Sequence, residues 1–468
     1  MILTQNNKIE QILLFLILLL GIAVRINPYH YMINIDEIIP VSVIDGMRLR
    51  GDCNTDFSLG VGMPEFFKPF KYNSSGYIVV SRILLDLLHL DNNIHNIRIF
   101  NELYFVLSYI FFCLILRKLL VRFAVCDSIG VVFGALLFSL LPGPVFDAWM
   151  VRPESLLSLL MVAGLCFVLD GDDKLYTYLS VGFMAGFGVS IKFTFVFFIP
   201  LLLYFIYAGR VFSIRPFFYF LLFFIVGFGF GCPYGLLHPD EYSQTIMALK
   251  SQYHSHHPPH SLIYPDAARM LLLQGRFFLM VYGFLFVLPF VVSLFAFKMK
   301  GSVRMIIVPL LLTFVPLFLY FGTRTVFFER NFHIYFILAL IVFVSVLGGL
   351  RYSYFRHLSY AMALIPMVYW VYCMHMSKRF DERRRDSMKN YSAFVDVPFS
   401  DYGSTLRIAP DRVRLIDYSD EYSERYRRIL RDSGYRMVFA DLTPFAVLPV
   451  NTYMTYLSPN YYYLEKIR

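Results

Sequence analysis

The chain has 468 residues, of which 58% are hydrophobic, 18% aromatic and only 16% charged, and its mean hydropathy is +0.59. This composition excludes an ordinary soluble domain and indicates a protein that crosses a membrane several times. The net charge of +9 does not indicate nucleic-acid binding, because the Lys and Arg residues form short clusters between apolar segments.

About eleven segments are long and apolar enough to cross the roughly 30 Å hydrocarbon core of a bilayer. They lie at 11–26, 99–116, 128–147, 154–169, 175–191, 193–208, 216–232, 272–297, 305–321, 333–349 and 358–375. Basic residues concentrate in every second loop, which the positive-inside rule makes cytoplasmic. We therefore expect the N-terminus inside and the C-terminus outside.

An acidic pair, Asp36-Glu37, follows the first span on the side predicted to be extracytoplasmic. A carboxylate at the membrane surface can act as a general base or hold a cation. The alternative is a solvated helix N-terminus, where acidic residues are favoured electrostatically. The pair belongs to a long outer loop, 27–98, in which the stretch 77–90 has the spacing of a helix lying along the membrane surface.

Other ionisable residues recur at the outer ends of later spans, where a shared cavity could form. They open the fourth and tenth spans or lie at the turn between the fifth and sixth: Arg152, Glu154, Lys192, Arg324, Glu329, Arg330 and His333. Lys192 is a compact point charge suited to a phosphate. In each case the alternative is an interfacial anchor or a side chain that extends to the membrane surface without a further role.

The boundary at Lys192 decides the topology of everything that follows it. Residues 175–208 can be read as one long tilted helix or as two spans with a tight turn. A single helix would place the Arg210 and Arg215 loop outside. We prefer two spans, which keep that loop inside and Lys192 near the outer surface.

A second outer loop, 233–271, contains a histidine cluster that includes His254, His256 and His257. Imidazole is a common transition-metal ligand. However, the following Pro258-Pro259 step and the lack of helical or hairpin spacing argue against a metal site. We expect these histidines to bind substrate or to stabilise the loop, and we predict no metal ligand among them. A divalent cation is the only cofactor that the sequence leaves open.

The tail, 376–468, is charged and rich in tyrosine, in contrast to the membrane part, 1–375. Its pattern predicts a strand at 413–418, a helix at 419–433 and a strand at 435–440. The predicted fold is therefore an all-α polytopic membrane domain followed by a small extracytoplasmic α/β domain. That domain is either an acceptor-docking module or a stabilising cap.

The order of these features resembles the GT-C superfamily of lipid-linked-sugar glycosyltransferases, in particular the protein O-mannosyltransferase and lipid A aminoarabinose transferase branch. The matching elements occur in register along nearly the whole membrane part: Ile35-Asp36-Glu37, Arg50-Gly51-Asp52, Phe66-Phe67-Lys68-Pro69, Asn96-Ile97-Arg98, Gly186 to Lys192, Cys232-Pro233-Tyr234 and Glu329-Arg330-Asn331-Phe332. The chain departs from the family in having Glu154 where many relatives place Asp.

The resemblance implies that a hexose or pentose passes from a polyprenyl-phosphate donor to a protein, lipid or glycan hydroxyl, with inversion, at the outer face of the plasma (inner) membrane. Asp36 would be the base or would orient the acceptor. The implied supporting residues are Glu37 and Glu154 for orientation or cation binding, Lys192, Arg330 and Arg152 for the leaving phosphate, and His254, His256 and His257 in a loop that closes over the substrate.

Two other functions fit parts of the pattern. A transporter or lipid flippase usually places polar groups or broken helices near the bilayer centre. Here the ionisable residues lie mostly at span ends, which favours chemistry at the surface. An envelope polysaccharide polymerase would share the outer active site and would consume a diphosphate-linked oligosaccharide instead of a monophosphate-linked sugar.

Overall fold

The computed structural model describes residues 6–26, 38–61, 70–124, 126–169, 175–207, 214–254, 267–295, 301–322, 330–348, 354–369, 371–372, 435–441 and 460–466. Its helices are α1 (Asn6–Arg25), α2 (Ile38–Arg50), α3 (Ser75–Leu87), α4 (Ile94–Val121), α5 (Ser128–Leu140), α6 (Pro142–Ala148), α7 (Glu154–Leu169), α8 (Leu175–Ile191), α9 (Ile199–Tyr207), α10 (Ile214–Gly231), α11 (Pro233–Leu237), α12 (Pro239–His254), α13 (Ala267–Tyr282), α14 (Phe284–Phe295), α15 (Gly301–Gly322), α16 (Arg330–Gly348) and α17 (354–369).

The apolar helices form a multi-pass membrane bundle. Each predicted span overlaps one helix or two consecutive helices. Within the described ranges, four helices are individually long and apolar enough to cross a bilayer, and α5 with α6 forms a fifth span bent by 49°. The other apolar helices do not meet the length and composition criteria on their own, so the total of eleven crossings stays a prediction.

The bend between α5 and α6 is stabilised by side chains from other helices. In a continuous helix the N–H of Gly143 would donate to the carbonyl of Ser139. Here Gly143 donates to the phenol oxygen of Tyr282 at 3.2 Å, and the Ser139 carbonyl accepts from the Arg25 guanidinium at 2.7 Å. Pro142 begins α6, where its missing N–H costs nothing. The bent span therefore has partners for the backbone groups that the break exposes.

Helices α8 and α10 approach each other so closely that their backbones touch. A Cβ at Gly186 would overlap the carbonyl oxygen of Phe224, and a Cβ at Gly227 would overlap that of Phe183. Small residues at a helix interface permit this approach in membranes. The contact fixes α8 and, with it, Lys192 at its end.

The predicted break at Lys192 is confirmed. Helix α8 ends at Ile191, and a 3-10 segment, Phe193–Phe198, follows Lys192 and leads into α9. The ring of Phe195 lies against Gly188 of α8, so the chain turns back on itself after Lys192.

The outer segments 38–61 and 70–93 pack on the bundle. The helix predicted at 77–90 is α3, which buries Tyr77 and Ile78 completely and leaves Leu87 70% exposed. Arg50 forms a two-bond ion pair with Asp52 at 2.9 and 3.1 Å, around Gly51 with its φ of 71°. A left-handed backbone of this kind favours glycine.

The described part of the tail is an antiparallel pair of strands, β1 (Tyr435–Asp441) and β2 (Asn460–Lys466). Tyr435 pairs with Lys466 and Val438 with Tyr463. The strand predicted at 435–440 is thus confirmed. The strand predicted at 413–418 and the helix predicted at 419–433 lie outside the described residues.

Candidate active site at one end of the helix bundle

A buried ion pair joins the start of α7 to the end of α8. Lys192 Nζ donates to Glu154 Oε1 at 2.8 Å, and the two side chains are 16% and 3% exposed. Removing two charges from water costs about as much as their attraction returns, so such a pair contributes little net stability. The burial of this ion pair therefore favours a role in keeping a charged side chain at a fixed position.

Arg152 lies two residues before Glu154 and is also buried, with 2% of its surface exposed. Its guanidinium carbon lies 5.8 Å from the centre of the Phe146 ring, within the range of a cation–π interaction. The predicted site residues Arg152, Glu154 and Lys192 are therefore neighbours in the structure.

A second buried pair joins α6 to α16 and combines His333, a predicted candidate, with Asp147, which the sequence reasoning missed. His333 Nδ1 lies 2.8 Å from Asp147 Oδ2, and the two side chains are 3% and 1% exposed. Asp147 also interacts electrostatically with Arg152 and Glu154. The two pairs and Arg152 thus form one group, which we call the charge cluster: Asp147, Arg152, Glu154, Lys192 and His333.

Two further charged residues, the buried Arg25 and the partly buried Glu102, lie beside this cluster. Arg25 is completely buried, with its guanidinium 3.6 Å above the Phe105 ring, and it interacts electrostatically with Glu102 and Asp147. Neither carboxylate oxygen of Glu102 has a hydrogen-bond partner within the described part of the chain. A sequence signal for two of these residues was available: Arg25 and Asp147 are charges at the ends of the predicted spans 11–26 and 128–147, and an ionisable residue within a span is a functional candidate by default.

Several predicted site residues cannot be placed relative to the cluster. Asp36, Glu37, His256 and His257 lie outside the described residues, as do the flanking residues Arg324 and Glu329. Arg330 is the first residue of α16 and His254 the last of α12, but their side chains also lie outside what is described. Because α2 begins at Ile38, Glu37 directly precedes a helix, and a helix N-terminus remains open as its role.

Helix α12, which leads to the histidine loop, is attached to the first outer loop. Glu241 accepts from Lys71 Nζ and from the Tyr72 hydroxyl, both at 3.1 Å. These hydrogen bonds lower the pKa of Glu241 and raise that of Lys71. Lys71 also lies 3.7 Å from Asp56. The two long outer loops are therefore in contact beside the bundle.

No metal-binding arrangement is present in the part of the chain that can be described, where no group of three His, Cys, Asp or Glu side chains converges. Asp36 and Glu37 lie outside that part of the chain. The cluster contains three basic side chains, those of Arg152, Lys192 and His333, and two carboxylates. Its chemical capacity is to bind and stabilise an anion close to fixed carboxylates.

No protein-family model matches the sequence, and no curated protein matches it. The structure is similar to that of ArnT from Cupriavidus metallidurans bound to undecaprenyl phosphate, with a TM-score of 0.52, 12% identity, and 95% of this chain and 94% of that chain covered. It is also similar to the Archaeoglobus fulgidus oligosaccharyltransferase in the apo form, with a TM-score of 0.50, 13% identity, and 88% of this chain and 61% of that chain covered.

Both of these proteins are GT-C glycosyltransferases. At 12–13% identity the likeness shows the fold alone, and the chain has the GT-C fold that the sequence resemblance predicts. It spans only about three fifths of the length of the oligosaccharyltransferase.

Proposed function

We propose that this chain is a membrane glycosyltransferase that moves a sugar from a polyprenyl-phosphate donor to an acceptor hydroxyl at the extracytoplasmic face. The observation that carries the proposal is the charge cluster, which gathers Arg152 and Lys192 beside Glu154 at one end of a GT-C bundle. ArnT, which shares that fold over nearly its whole length, is a protein bound to undecaprenyl phosphate. An anion site at the end of a membrane bundle suits a lipid-anchored phosphate.

The reaction needs a base and a group that accepts the developing negative charge. The acceptor oxygen attacks the anomeric carbon, the bond from that carbon to the phosphate oxygen breaks, and the polyprenyl phosphate leaves with the bonding pair. Asp36 would take the proton of the acceptor hydroxyl. Attack from the face opposite the phosphate inverts the anomeric centre.

Lys192, Arg152 and Arg330 would stabilise the departing phosphate, because preorganised cations in a site shielded from water lower the energy of a charged transition state. Lys192 is suited to this role because its side chain is 16% exposed, whereas that of its partner Glu154 is 3% exposed. Glu154 would hold the ammonium in place between turnovers. The histidine loop with His254, His256 and His257 would close over the bound substrate, and Glu37 would help to orient the acceptor.

On this proposal the chain lies in the plasma (inner) membrane with its N-terminus in the cytoplasm, which the alternation of basic loops supports, and the charge cluster and the C-terminal domain would face outward. The sugar, hexose or pentose, would be taken from a lipid carrier on that side. The acceptor would be a hydroxyl of a protein, a lipid head group or an envelope glycan.

The proposal is tested by incubating the purified chain in liposomes with polyprenyl-phosphate sugars and measuring the polyprenyl phosphate that is released. We expect release that depends on an added membrane or envelope acceptor extract. Mass spectrometry of lipids and envelope glycans from cells lacking the chain should show a missing sugar. Donor consumption at the rate of protein-free liposomes, with every donor tried, would refute the proposal.

A lipid or glycan flippase is the second candidate, and the buried charges favour it specifically. Arg25, Glu102 and Asp147 lie inside the bundle next to a bent span, and polar residues and broken helices inside a bundle are typical of transporters. A flippase would move the intact donor between leaflets without breaking the glycosidic bond. Recovery of intact donor in the opposite leaflet of the liposomes would therefore support the flippase function.

A further inference from the structure

We propose that Asp147 and His333 are positioning residues of the donor-phosphate site. By joining α6 to α16, the pair sets the place of Arg330 relative to Arg152 and Lys192. This inference rests on the proposed function and adds two residues to it. Neither residue is assigned a contact with the reacting atoms.

The first support is the place of each partner in the chain. Asp147 lies in the last turn of α6, five residues before Arg152, which lies on the short segment that leads from α6 into α7. His333 lies three residues after Arg330 on α16, and residues three apart share one face of a helix. The Asp147–His333 contact at 2.8 Å thus connects the segments that carry two of the three proposed phosphate cations, Arg152 and Arg330, across 186 residues of sequence.

The second support is that α6 is held against α16 by more than the ion pair. The His333 ring lies directly against Gly143, at a place where a side chain at residue 143 would overlap it. The N–H of Gly143 donates to Tyr282, and the Tyr282 ring stacks on Phe336 of α16 with 3.7 Å between ring centres. A displacement of His333 would therefore be transmitted to the bent span.

The third support is that stability alone does not account for the pair. Asp147 is buried, and its Oδ1 atom has no hydrogen-bond partner among the described residues, which costs free energy. An apolar pair of similar volume would be at least as stable at such a place. A carboxylate that accepts from one imidazole nitrogen fixes the orientation of the ring, as in many functional sites.

The test uses the purified full chain and compares kinetic constants for donor and acceptor. Asp147→Leu and His333→Leu, each of which removes one partner of the bond, are expected to raise the KM for the polyprenyl-phosphate donor about tenfold or more, because small displacements of binding groups are costly. The KM for the acceptor should stay unchanged. His333→Gln, whose amide can still donate to Asp147, should keep the donor KM within about threefold of the wild type.

A purely structural role would lower the amount of active enzyme and hence the apparent kcat, without moving the donor KM. Tyr109→Phe is the matched control, because it removes a buried hydrogen bond from α4 to the Leu14 carbonyl of α1, at 2.6 Å. It should lower the unfolding temperature and leave both KM values unchanged. The double variant Asp147→Asn with His333→Gln should keep the donor KM near the wild-type value, since the two amides can bond to each other, and it supplies the test if a leucine variant fails to fold.

A wild-type donor KM in His333→Leu, or a donor KM raised about tenfold in a folded amide double variant, would overturn the positioning role. Failure of the proposed function is a different result, since the wild-type chain itself would then release no polyprenyl phosphate. An active wild type with unaffected variants therefore rejects this inference alone.

Discussion

Replacing Lys192 by Met should damage both stability and turnover, and the two effects can be separated by a second substitution. Lys192→Met leaves the Glu154 carboxylate, which is 3% exposed, without its ammonium partner at 2.8 Å. Breaking a buried pair from one side costs about 3–5 kcal/mol. Removing the second charge as well, in Lys192→Met with Glu154→Gln, should restore most of that free energy of unfolding.

Turnover should behave differently. If Lys192 stabilises the departing phosphate, its loss lowers kcat by about 10²–10³-fold, the usual effect of removing one preorganised donor. The double variant restores stability but not the cation, so its kcat should stay as low as that of Lys192→Met. The assays are SDS-induced unfolding of the purified chain and release of polyprenyl phosphate.

The chain offers a matched control pair in Lys71 and Glu241, which also form a Lys–Glu contact, at 3.1 Å, but with side chains 33% and 39% exposed. Exposed pairs contribute about 0–1 kcal/mol. Lys71→Met with Glu241→Gln should therefore change neither stability nor kcat substantially. Wild-type kcat in Lys192→Met, or recovery of kcat in the Lys192 double variant, would refute the reasoning.

Three further outcomes are expected. Gly186→Ala should force α8 away from α10 and cost about 1–3 kcal/mol in SDS unfolding, whereas Gly275→Ala, which meets only open space, should be tolerated. Arg25→Met should destabilise the chain by about 1–3 kcal/mol or more, since the Ser139 carbonyl loses its donor; unchanged unfolding would contradict the account of the bend. Hydrogen bonds from Lys71 and Tyr72 lower the pKa of Glu241. These bonds stabilise α12 at pH values above the ordinary pKa of glutamate, and the stabilisation is lost as the pH falls through the lowered pKa of Glu241. Hydrogen exchange in 239–254 should therefore accelerate below about pH 4.5 relative to the intrinsic rate, and Glu241→Gln should remove that change.

Hydropathy and local chemistry predicted much of the fold. The apolar segments predicted the positions of the helices. The positions of the later basic loops predicted the break at Lys192. The recurrence of charge at the outer ends of spans also identified Arg152, Glu154 and Lys192, which the structure brings together. These features depend on local sequence, so they can be read from it.

The Asp147–His333 pair could not be predicted in the same way. Asp147 is the last residue of a predicted span, and its partner is 186 residues away, so no spacing rule connects them. Their contact depends on the bend at Pro142, which in turn relies on Arg25 and Tyr282 from distant helices. Tertiary packing therefore decided the part of the site that sequence reasoning missed.

The most direct test of the proposed reaction is a comparison of wild type and Asp36→Asn in one vesicle preparation, with donor binding and sugar transfer measured separately. The account predicts that Asp36→Asn binds the polyprenyl-phosphate donor as tightly as the wild type and transfers no measurable sugar. Wild-type transfer by Asp36→Asn would contradict it.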